Sequence, residues 1–358
     1  MKLTKKNLHI LGIDTSCDET SAAITYKTRV LSNVVSSQVE LHSEFGGVVP
    51  IIAKREHQAR IDPVISEAFK RASKNAGKKI EWKTIDAIAV TYGPGLAIAL
   101  EVGLLKAKEL AKKYNKPLIA VNHMEGHLWS ALGSNSEGNG GVDYEKIKLP
   151  VLGVLISGGH TELVEVKKFA EYKIIGETLD DAMGEAYDKV ARMLGLGYPG
   201  GAVLSEMAQK GDANKYTFPI PLSKQNTLNL SFSGLKTAIY YFIKQTEKQD
   251  GPLTREQIYN IAAGFERSAI SALCIKITMA LQTHNVKSVF VGGGVTASKM
   301  VRKSIRKTCQ IMGVRCHFPS VKYINMDNGA MIAIAGYLRA LRGDFASLDI
   351  DREPRVTL

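Results

Sequence analysis

The alternation of apolar and polar positions predicts a first half built from strands and two long helices. Short apolar runs typical of buried strands occupy residues 8–13, 22–26, 30–36, 85–91 and 117–121. Between these runs, residues 50–75 and 96–114 carry apolar side chains at helical spacing. Residues 133–146 are rich in Gly, Ser and Asn, which indicates a surface loop.

The second half opens with a copy of the first strand. Residues 10–13 read Ile-Leu-Gly-Ile and residues 151–154 read Val-Leu-Gly-Val, and in the same register Ser16 falls on Ser157. Each copy begins a block of strands followed by helices, so the pattern predicts a duplicated α/β lobe. Further helices are predicted at 181–194, 254–284 and 330–341, with a buried strand at 286–291. We expect a first lobe of residues 1–121 plus 333–358 and a second lobe of residues 122–332.

Composition and charge indicate a globular protein with a basic surface. The chain has 358 residues, of which 45 % are hydrophobic and 23 % charged, as in globular proteins with a full core. No apolar run is long enough to cross a bilayer, so we expect a cytoplasmic protein without a membrane partner. Lys and Arg number 47 against 35 Asp and Glu, a net charge of +12. This excess favours a polyanionic partner, although a basic surface also serves solubility alone.

Two histidines suggest a metal site. His123 and His127 lie four residues apart in His-Met-Glu-Gly-His, which places both imidazoles on one face of a helix. In zinc peptidases a glutamate directly follows the first histidine, but here Glu125 is two positions on and roughly 200° around the helix. A peptidase is therefore disfavoured. From the residues alone, Asp327 is best interpreted as the N-cap of the last helix.

Three small-residue turns suggest a phosphate ligand. Residues 156–161 and 292–294 are Gly-rich turns after strands, where backbone N–H groups can approach phosphate oxygens. The polar turn at residues 15–20 holds hydroxyls and two carboxylates at the corresponding place in the first lobe. Together they predict a nucleotide between the lobes. The Asp188 side chain is either solvated or an acceptor for a ribose hydroxyl.

Taken together, these segments resemble the TsaD family, formerly called Gcp and related to the Kae-type proteins. The resemblance spans nearly the whole chain, is closest to the bacterial type, and rests on ordered motifs at residues 12–20, 45–50, 92–96, 123–127, 157–161, 180–189, 198–201, 231–237 and 326–330. It implies an actin/Hsp70-like (ASKHA) α/β fold of two RNase H-like lobes. It also implies transfer of a threonylcarbamoyl group from threonylcarbamoyl-AMP to N6 of adenosine 37 in tRNAs that read ANN codons.

The resemblance assigns roles to particular residues. It makes Asp327 the third ligand, beside His123 and His127, of one divalent ion per subunit, iron or zinc. It gives catalytic roles to Asp18 and Glu19, with Asp18 accepting the amine proton or orienting a water. The positions that match the family's nucleotide-binding residues are Leu155, Ile156, Ser157, Gly158, Gly159, Asp188, Gly201 and Ser298.

Three positions depart from the family pattern. Ser298 stands where an Asn is usual, and a hydroxyl makes fewer and shorter hydrogen bonds than an amide. Asp14 replaces a Glu, and Ile98 replaces a Gly. The expected partners are the tRNA anticodon arm and, if the protein is bacterial, a TsaB-like paralogue and a TsaE-like ATPase. The alternatives are a small-molecule kinase of the same fold, a metallopeptidase, or a non-catalytic scaffold that binds a paralogue.

Overall fold

The apolar runs form two five-stranded sheets in the computed structural model, which describes residues 6–358 except for the side chain of Lys322. The chain divides into one unit of Met1–Ile147 with His317–Leu358 and a second of Lys148–Cys316. The first unit begins with β1 (His9–Asp14), β2 (Glu19–Tyr26), β3 (Arg29–Ser37), α1 (Val39–Ser43), α2 (Pro50–Ala76), β4 (Ala87–Gly93), α3 (Ala97–Tyr114), β5 (Leu118–Asn122) and α4 (His123–Trp129).

The second unit repeats this arrangement. Its elements are β6 (Val151–Ile156), β7 (Thr161–Lys168), β8 (Glu171–Glu177), α5 (Met183–Met193), α6 (Gly201–Ala208), α7 (Ser233–Asp250), α8 (Arg255–Thr283), β9 (Ser288–Gly292), α9 (Lys299–Ile311) and β10 (Arg315–His317). The helix α10 (Gly329–Arg342) then completes the first unit.

The strand orders confirm the predicted duplication. The first sheet has the order β3-β2-β1-β4-β5, and the second has β8-β7-β6-β9-β10 when read in the same direction. In both sheets the leading strand pairs antiparallel with the next strand and parallel with the fourth. Gly12 pairs with Ala23 in the first sheet and Gly153 with Val164 in the second, which are equivalent positions of the two copies.

The central helix α10 packs directly on the first sheet. Its residues are almost all buried, and a Cβ atom added to Gly12 of β1 would lie 2.2 Å from the Gly329 carbonyl oxygen. The Gly329 N–H also donates to the Ser21 hydroxyl of β2 at 2.7 Å. Because only a glycine permits this approach, the start of α10 is held rigidly against β1 and β2.

The unit boundaries differ from the predicted ones. The sequence placed residues 122–147 and 317–332 in the second lobe, but both segments belong to the first unit. The reason is packing: α4 lies on α10, where an added Cβ at Gly126 would touch Met331 at 3.1 Å, and the Asn122 amide donates to the Thr357 carbonyl. All three predicted metal ligands therefore lie in one unit.

The structure also has helices α6 and α7, where the sequence pattern predicts no helix. In the part of the chain that the structure describes, no helix combines the length and apolarity needed to span a membrane.

Candidate metal centre and nucleotide-binding turns

The last residue of β5 starts the helix that carries the two histidines. The Asn122 side chain accepts the Met124 N–H at 2.8 Å and so caps α4. The helix then places His123 and His127 one turn apart, with their rings in an edge-to-face contact at 4.7 Å between centroids. Both imidazoles are buried. The predicted pairing of the two histidines on one face is confirmed.

Asp327 completes a cluster of three metal-ligating side chains. Its Oδ1 lies 3.1 Å from Nε2 of His127 and 3.4 Å from Nε2 of His123. One ligand atom from each of the three residues lies within 4.8 Å of the others. Ligands bound at about 2.0–2.2 Å to a tetrahedral ion stand roughly 3–4 Å apart, so the two distances from Asp327 Oδ1, 3.4 and 3.1 Å, suit such an ion.

The ring nitrogens show that the cluster is chemically incomplete by itself. Among the described residues, buried side-chain polar atoms without a hydrogen-bond partner include His123 Nδ1 and both Nδ1 and Nε2 of His127. Burying a polar atom without a partner costs about 1–3 kcal/mol. A divalent cation bound by the Nε2 atoms and the Asp327 carboxylate would satisfy the Nε2 nitrogen of His127, so the residues fit the metal that the sequence predicts.

The N-cap interpretation of Asp327 is wrong. The cap of α10 is Asn328, whose side chain accepts the N–H groups of Ala330 at 2.9 Å and Met331 at 3.1 Å. Because the neighbouring amide satisfies the first turn of the helix, the Asp327 carboxylate is left to face the histidines.

A second carboxylate lies behind His123. Asp14 is fully buried at the end of β1, and its Oδ1 lies 3.6 Å from Nδ1 of His123. The same carboxylate accepts the Thr91 hydroxyl at 2.5 Å and the Ser16 hydroxyl at 3.2 Å. A carboxylate behind a ligating histidine orients the ring and increases its basicity. At 3.6 Å the shorter Asp14 side chain makes no hydrogen bond to Nδ1 of His123, but its charge lies close enough to raise the pKa of the imidazole.

The charged groups of the cluster shift one another's pKa values. Burial lowers the pKa of His123, but Asp327 and Asp14 outweigh burial and raise it to about 10. Burial raises the pKa of Asp327, yet His123 and His127 hold it well below its usual value. The site is therefore an anionic pocket that stabilises a cation, which is the property a divalent metal requires.

Glu125 takes no part in this cluster. Its buried carboxylate forms an ion pair with Arg339 of α10 at 2.7 Å. A metallopeptidase needs its glutamate at the metal as a general base. Because the Glu125 carboxylate is bound to Arg339, the structure agrees with the sequence in disfavouring a peptidase.

The two candidate catalytic carboxylates lie on the turn between β1 and β2. Glu19 is buried, with the Ser37 hydroxyl 3.5 Å from its Oε1, while Asp18 is half-buried. Burial, together with the nearby charges of Asp327 and Asp18, raises the pKa of Glu19 well above its usual value. Glu19 therefore holds a proton more tightly than an exposed glutamate does.

The turn between β6 and β7 exposes two glycines. The Ser157 N–H donates to the His160 carbonyl at 2.8 Å, and the His160 N–H donates to the Ser157 hydroxyl at 3.0 Å. A Cβ atom on Gly158 or Gly159 would meet nothing within 4 Å, so the backbone here is open to a ligand. This arrangement suits a phosphate bound by backbone N–H groups.

Other glycines bring further segments against this turn. A Cβ on Gly184, near the start of α5, would lie 2.6 Å from the Ser157 carbonyl oxygen. Gly293, which has φ of +94°, would place its Cβ 2.4 Å from the Ile156 carbonyl oxygen. Leu155 and Ile156 are buried in β6, so they hold the turn rather than face a ligand. The predicted Gly-rich turns at 156–161 and 292–294 therefore lie side by side in the second unit.

Asp188 on α5 binds the start of α6. Its Oδ1 accepts the N–H groups of Gly200 at 3.0 Å and Gly201 at 2.7 Å. Burial raises the pKa of Asp188, and the two N–H donors and Arg192 oppose that rise. The carboxylate is thus neither freely solvated nor isolated: it fixes the backbone at Gly201.

Ser298 belongs to a polar cluster that the sequence did not reveal. Its hydroxyl lies 3.1 Å from the Ser205 hydroxyl and 3.5 Å from the Glu266 carboxylate. Glu266 also accepts the Ser205 hydroxyl at 2.7 Å and the Tyr187 hydroxyl at 3.4 Å. The one available signal was Glu266 itself, a buried acid on the long apolar helix α8.

Sequence comparisons find relatives that match nearly the whole chain. The family model of TsaD, described as tRNA N6-adenosine threonylcarbamoyltransferase, matches residues 29–334. A protein of that name from Thermosipho africanus is 41 % identical over 349 residues, covering 98 % of this chain and 99 % of its own. Another from Persephonella marina is 43 % identical over 336 residues, covering 93 % of this chain and 90 % of its own.

Solved structures agree with the fold. HypF from T. kodakarensis matches with a TM-score of 0.58 and 14 % identity over 94 % of this chain and 48 % of its own. Component A of (R)-2-hydroxyglutaryl-CoA dehydratase from Acidaminococcus fermentans matches with a TM-score of 0.52 and 16 % identity over 93 % and 99 %. With the repeated strand order, these likenesses confirm the predicted actin/Hsp70-like fold class.

Proposed function

Because this chain belongs to the TsaD family of tRNA N6-adenosine threonylcarbamoyltransferases, we propose that it uses threonylcarbamoyl-AMP as the donor and N6 of adenosine 37 as the acceptor. The tRNAs would be those that read ANN codons. The observation that supports a metal-assisted reaction most directly is the cluster of the buried His123 and His127 with the partly buried Asp327, in which ring nitrogens lack hydrogen-bond partners.

The reaction is an acyl transfer to a weak nucleophile. The adenine N6 forms a bond to the carbamoyl carbon, and the bond from that carbon to the phosphate oxygen of AMP breaks. AMP leaves with the electron pair, and N6 loses one proton. Since the N6 lone pair is delocalised into the ring, the protein has to activate and orient the donor.

The first unit would contribute the metal and the acid–base groups. His123, His127 and Asp327 would hold an iron or zinc ion, which would supply Lewis acidity towards a carbonyl group of the donor. Glu19, buried on the turn after β1, would assist Asp18 in the proton transfer from N6. Asp18 on the same turn would orient the amine or a water, or would itself take the proton.

The second unit would bind the leaving group. The open backbone at Gly158 and Gly159 offers N–H groups to the phosphate of AMP, which stabilise the charge that develops as AMP departs. Asp188 would act by fixing the backbone at Gly201, and Ser298 by contributing a hydroxyl to the nucleoside.

The proposal is tested by reconstituting the reaction. Unmodified tRNA that reads an ANN codon is incubated with synthetic threonylcarbamoyl-AMP and this protein, with and without a TsaB-like paralogue and a TsaE-like ATPase. Nucleosides are then analysed by mass spectrometry. We expect threonylcarbamoyladenosine only when this chain is present. Its absence with every partner combination, while a TsaD relative modifies the same tRNA, would contradict the proposal.

The acceptor position has its own control. A tRNA with guanosine in place of adenosine 37 keeps the fold of the RNA but lacks the reactive amine. We expect no product from this tRNA. Modification of it at another adenosine would contradict the proposed acceptor while leaving the family's reaction intact.

A further inference from the structure

The helix α9 carries an unusual concentration of positive charge. Its thirteen residues include five Lys or Arg side chains and no acidic one. Val301, Ile305 and Cys309 form its buried face. On the exposed face, Lys299, Lys303 and Lys307 follow one another at intervals of four residues, and we refer to these three residues as the lysine row.

The lysine row is not neutralised by neighbouring acids. Among the described residues, no ion pair is found for any of its three members, whereas lysines of α2 and α3 are paired, Lys54 with Glu101 and Lys106 with Asp62. Like charges four residues apart destabilise a helix by a few tenths of a kcal/mol per pair. The lysine row therefore does not stabilise α9. Binding of an external anion would explain why the three lysines lie together.

The arginines of α9 reinforce the positive potential. Arg306 is exposed beside Lys303 and Lys307. Burial lowers the pKa of Arg302, and the charge of Arg306 lowers it further. Arg302 donates its Nε–H to the Thr296 carbonyl at 2.6 Å, so this side chain ties α9 to the turn before it.

The row starts at the candidate nucleotide turn. Ser298 caps α9, accepting the Val301 N–H at 3.4 Å, and Gly293 lies against the β6–β7 turn through Ile156. From Lys299 to Lys307 the row spans roughly 12 Å along the helix. A long polyanion bound there would therefore lie next to the turn that we assign to the donor phosphate.

We propose that the lysine row and Arg306 bind the sugar–phosphate backbone of the tRNA substrate. This inference rests on the proposed function, which supplies an RNA as the acceptor. Neutralising phosphates with lysines releases condensed counterions and is independent of base sequence. An anionic membrane is the less suitable polyanion, because an interfacial helix inserts an apolar face and that of α9 is buried in its own unit.

The test replaces all three lysines by glutamine, as K299Q/K303Q/K307Q. Glutamine forms helices as well as lysine does, so α9 should stay folded. The matched control is K70Q/K74Q/K78Q, which removes three exposed lysines at the same spacing, at and just beyond the end of α2 in the first unit. Both variants lose the same charge; they differ in location and in the exposed Lys70–Glu67 ion pair at 3.9 Å, which the control also removes.

The measurement is the dissociation constant for an unmodified tRNA transcript as a function of KCl concentration. We expect the lysine-row variant to bind tRNA at least about tenfold more weakly at low salt. The magnitude of the slope of log K against log salt concentration should fall by roughly two to three. The control variant should keep the slope of the wild-type protein. Equal changes in both variants, or none in the lysine-row variant, would overturn the inference.

Two further measurements distinguish tRNA binding by the lysine row from other roles of these residues. AMP affinity should be unchanged in the lysine-row variant; a parallel loss would mean that the row only supports the nucleotide turn, and would overturn the inference. Displacement by poly-glutamate at lower concentration than by tRNA would assign the surface to an acidic protein instead. If the wild-type protein binds tRNA through the lysine row but transfers no threonylcarbamoyl group, the proposed function is contradicted and the proposed tRNA-binding surface is not.

Discussion

The Nδ1 atom of His57 on α2 lies 2.8 Å from the hydroxyl oxygen of Thr20. The other ring nitrogen, Nε2, lies 3.0 Å from the Cys17 carbonyl oxygen, and the imidazole is completely buried. One rigid ring therefore holds both sides of the turn that carries Asp18 and Glu19. The His57 ring thus fixes the backbone that carries both carboxylates, and it makes no hydrogen bond to either of them.

Replacing His57 by alanine should disorder this turn. The variant loses two buried hydrogen bonds and leaves a cavity, which together cost roughly 2–4 kcal/mol. We expect transfer activity to fall by about tenfold or more at saturating donor, because the carboxylates are no longer positioned. Activity is measured on protein confirmed as folded by thermal unfolding, with H284A, a histidine of the second unit paired with Glu165, as the control. Full activity in folded H57A would show that the ring has no positioning role.

The contact between β1 and α10 predicts a stability effect. In G12A the added methyl group meets the Gly329 carbonyl oxygen at 2.2 Å and the Ala333 backbone nitrogen at 2.5 Å. Backbone atoms cannot rotate away, so we expect a loss of about 1–3 kcal/mol or more. The control is G234A in α7, where an added Cβ meets nothing within 4 Å and stability should not fall. Chemical denaturation compares the two; an equally stable G12A would refute the close packing.

The hydrogen bonds of Asp188 predict a nucleotide-binding effect. D188A leaves the N–H groups of Gly200 and Gly201 without their acceptor, so the start of α6 loses its fixed position. We expect AMP affinity to fall by roughly 10- to 100-fold, the equivalent of one charge-assisted interaction. Calorimetric titration of AMP measures this, and E185A, an exposed change on the same helix, is the control. Unchanged affinity in D188A would remove this residue from the site.

A buried acid in the second unit predicts a pH dependence. Burial, with a contribution from Glu177, raises the pKa of Glu162 to about 7 from 4.5. Between these values the folded state keeps a proton that the unfolded state has lost. Its contribution is therefore complete below about pH 4.5 and is lost as pH rises through 7, by roughly 3 kcal/mol.

The variant E162Q should remove this dependence, because glutamine does not ionise. We expect E162Q to be more stable than the wild-type protein at pH 8, by about 1–3 kcal/mol, and the gap to shrink towards pH 5. Denaturation across pH 5–8 gives the difference, and E171Q on the exposed strand β8 serves as the control. A gap that is constant with pH would show that Glu162 does not titrate in this range.

The duplicated sheets could be predicted from the sequence, because both copies have the same spacing of apolar residues. The strand starting at residue 9 and the one at residue 151 carry the same pattern, and their registers proved equivalent. The unit boundary could not be predicted in this way. It depends on Gly126 of α4 contacting Met331, a contact between residues far apart in the chain.

Only part of the candidate metal site could be predicted from the sequence. The spacing of His123 and His127 identified one face of a helix, but Asp327 and Asn328 offer similar capping chemistry and only the folded helix shows which one caps it. The cluster of Ser205 and Glu266 around Ser298 was missed, because these side chains come from different helices and no local pattern links them.

Metal content and transfer rate, measured in the same preparations of wild-type, H127A and H284A proteins, test whether the metal takes part in the reaction. H284A removes a histidine paired with Glu165 in the second unit and should behave as wild type. We expect roughly one metal per chain in the wild type and H284A, and loss of both the metal and at least about 100-fold of the transfer rate in H127A. Wild-type transfer by metal-free H127A would contradict the metal-assisted mechanism.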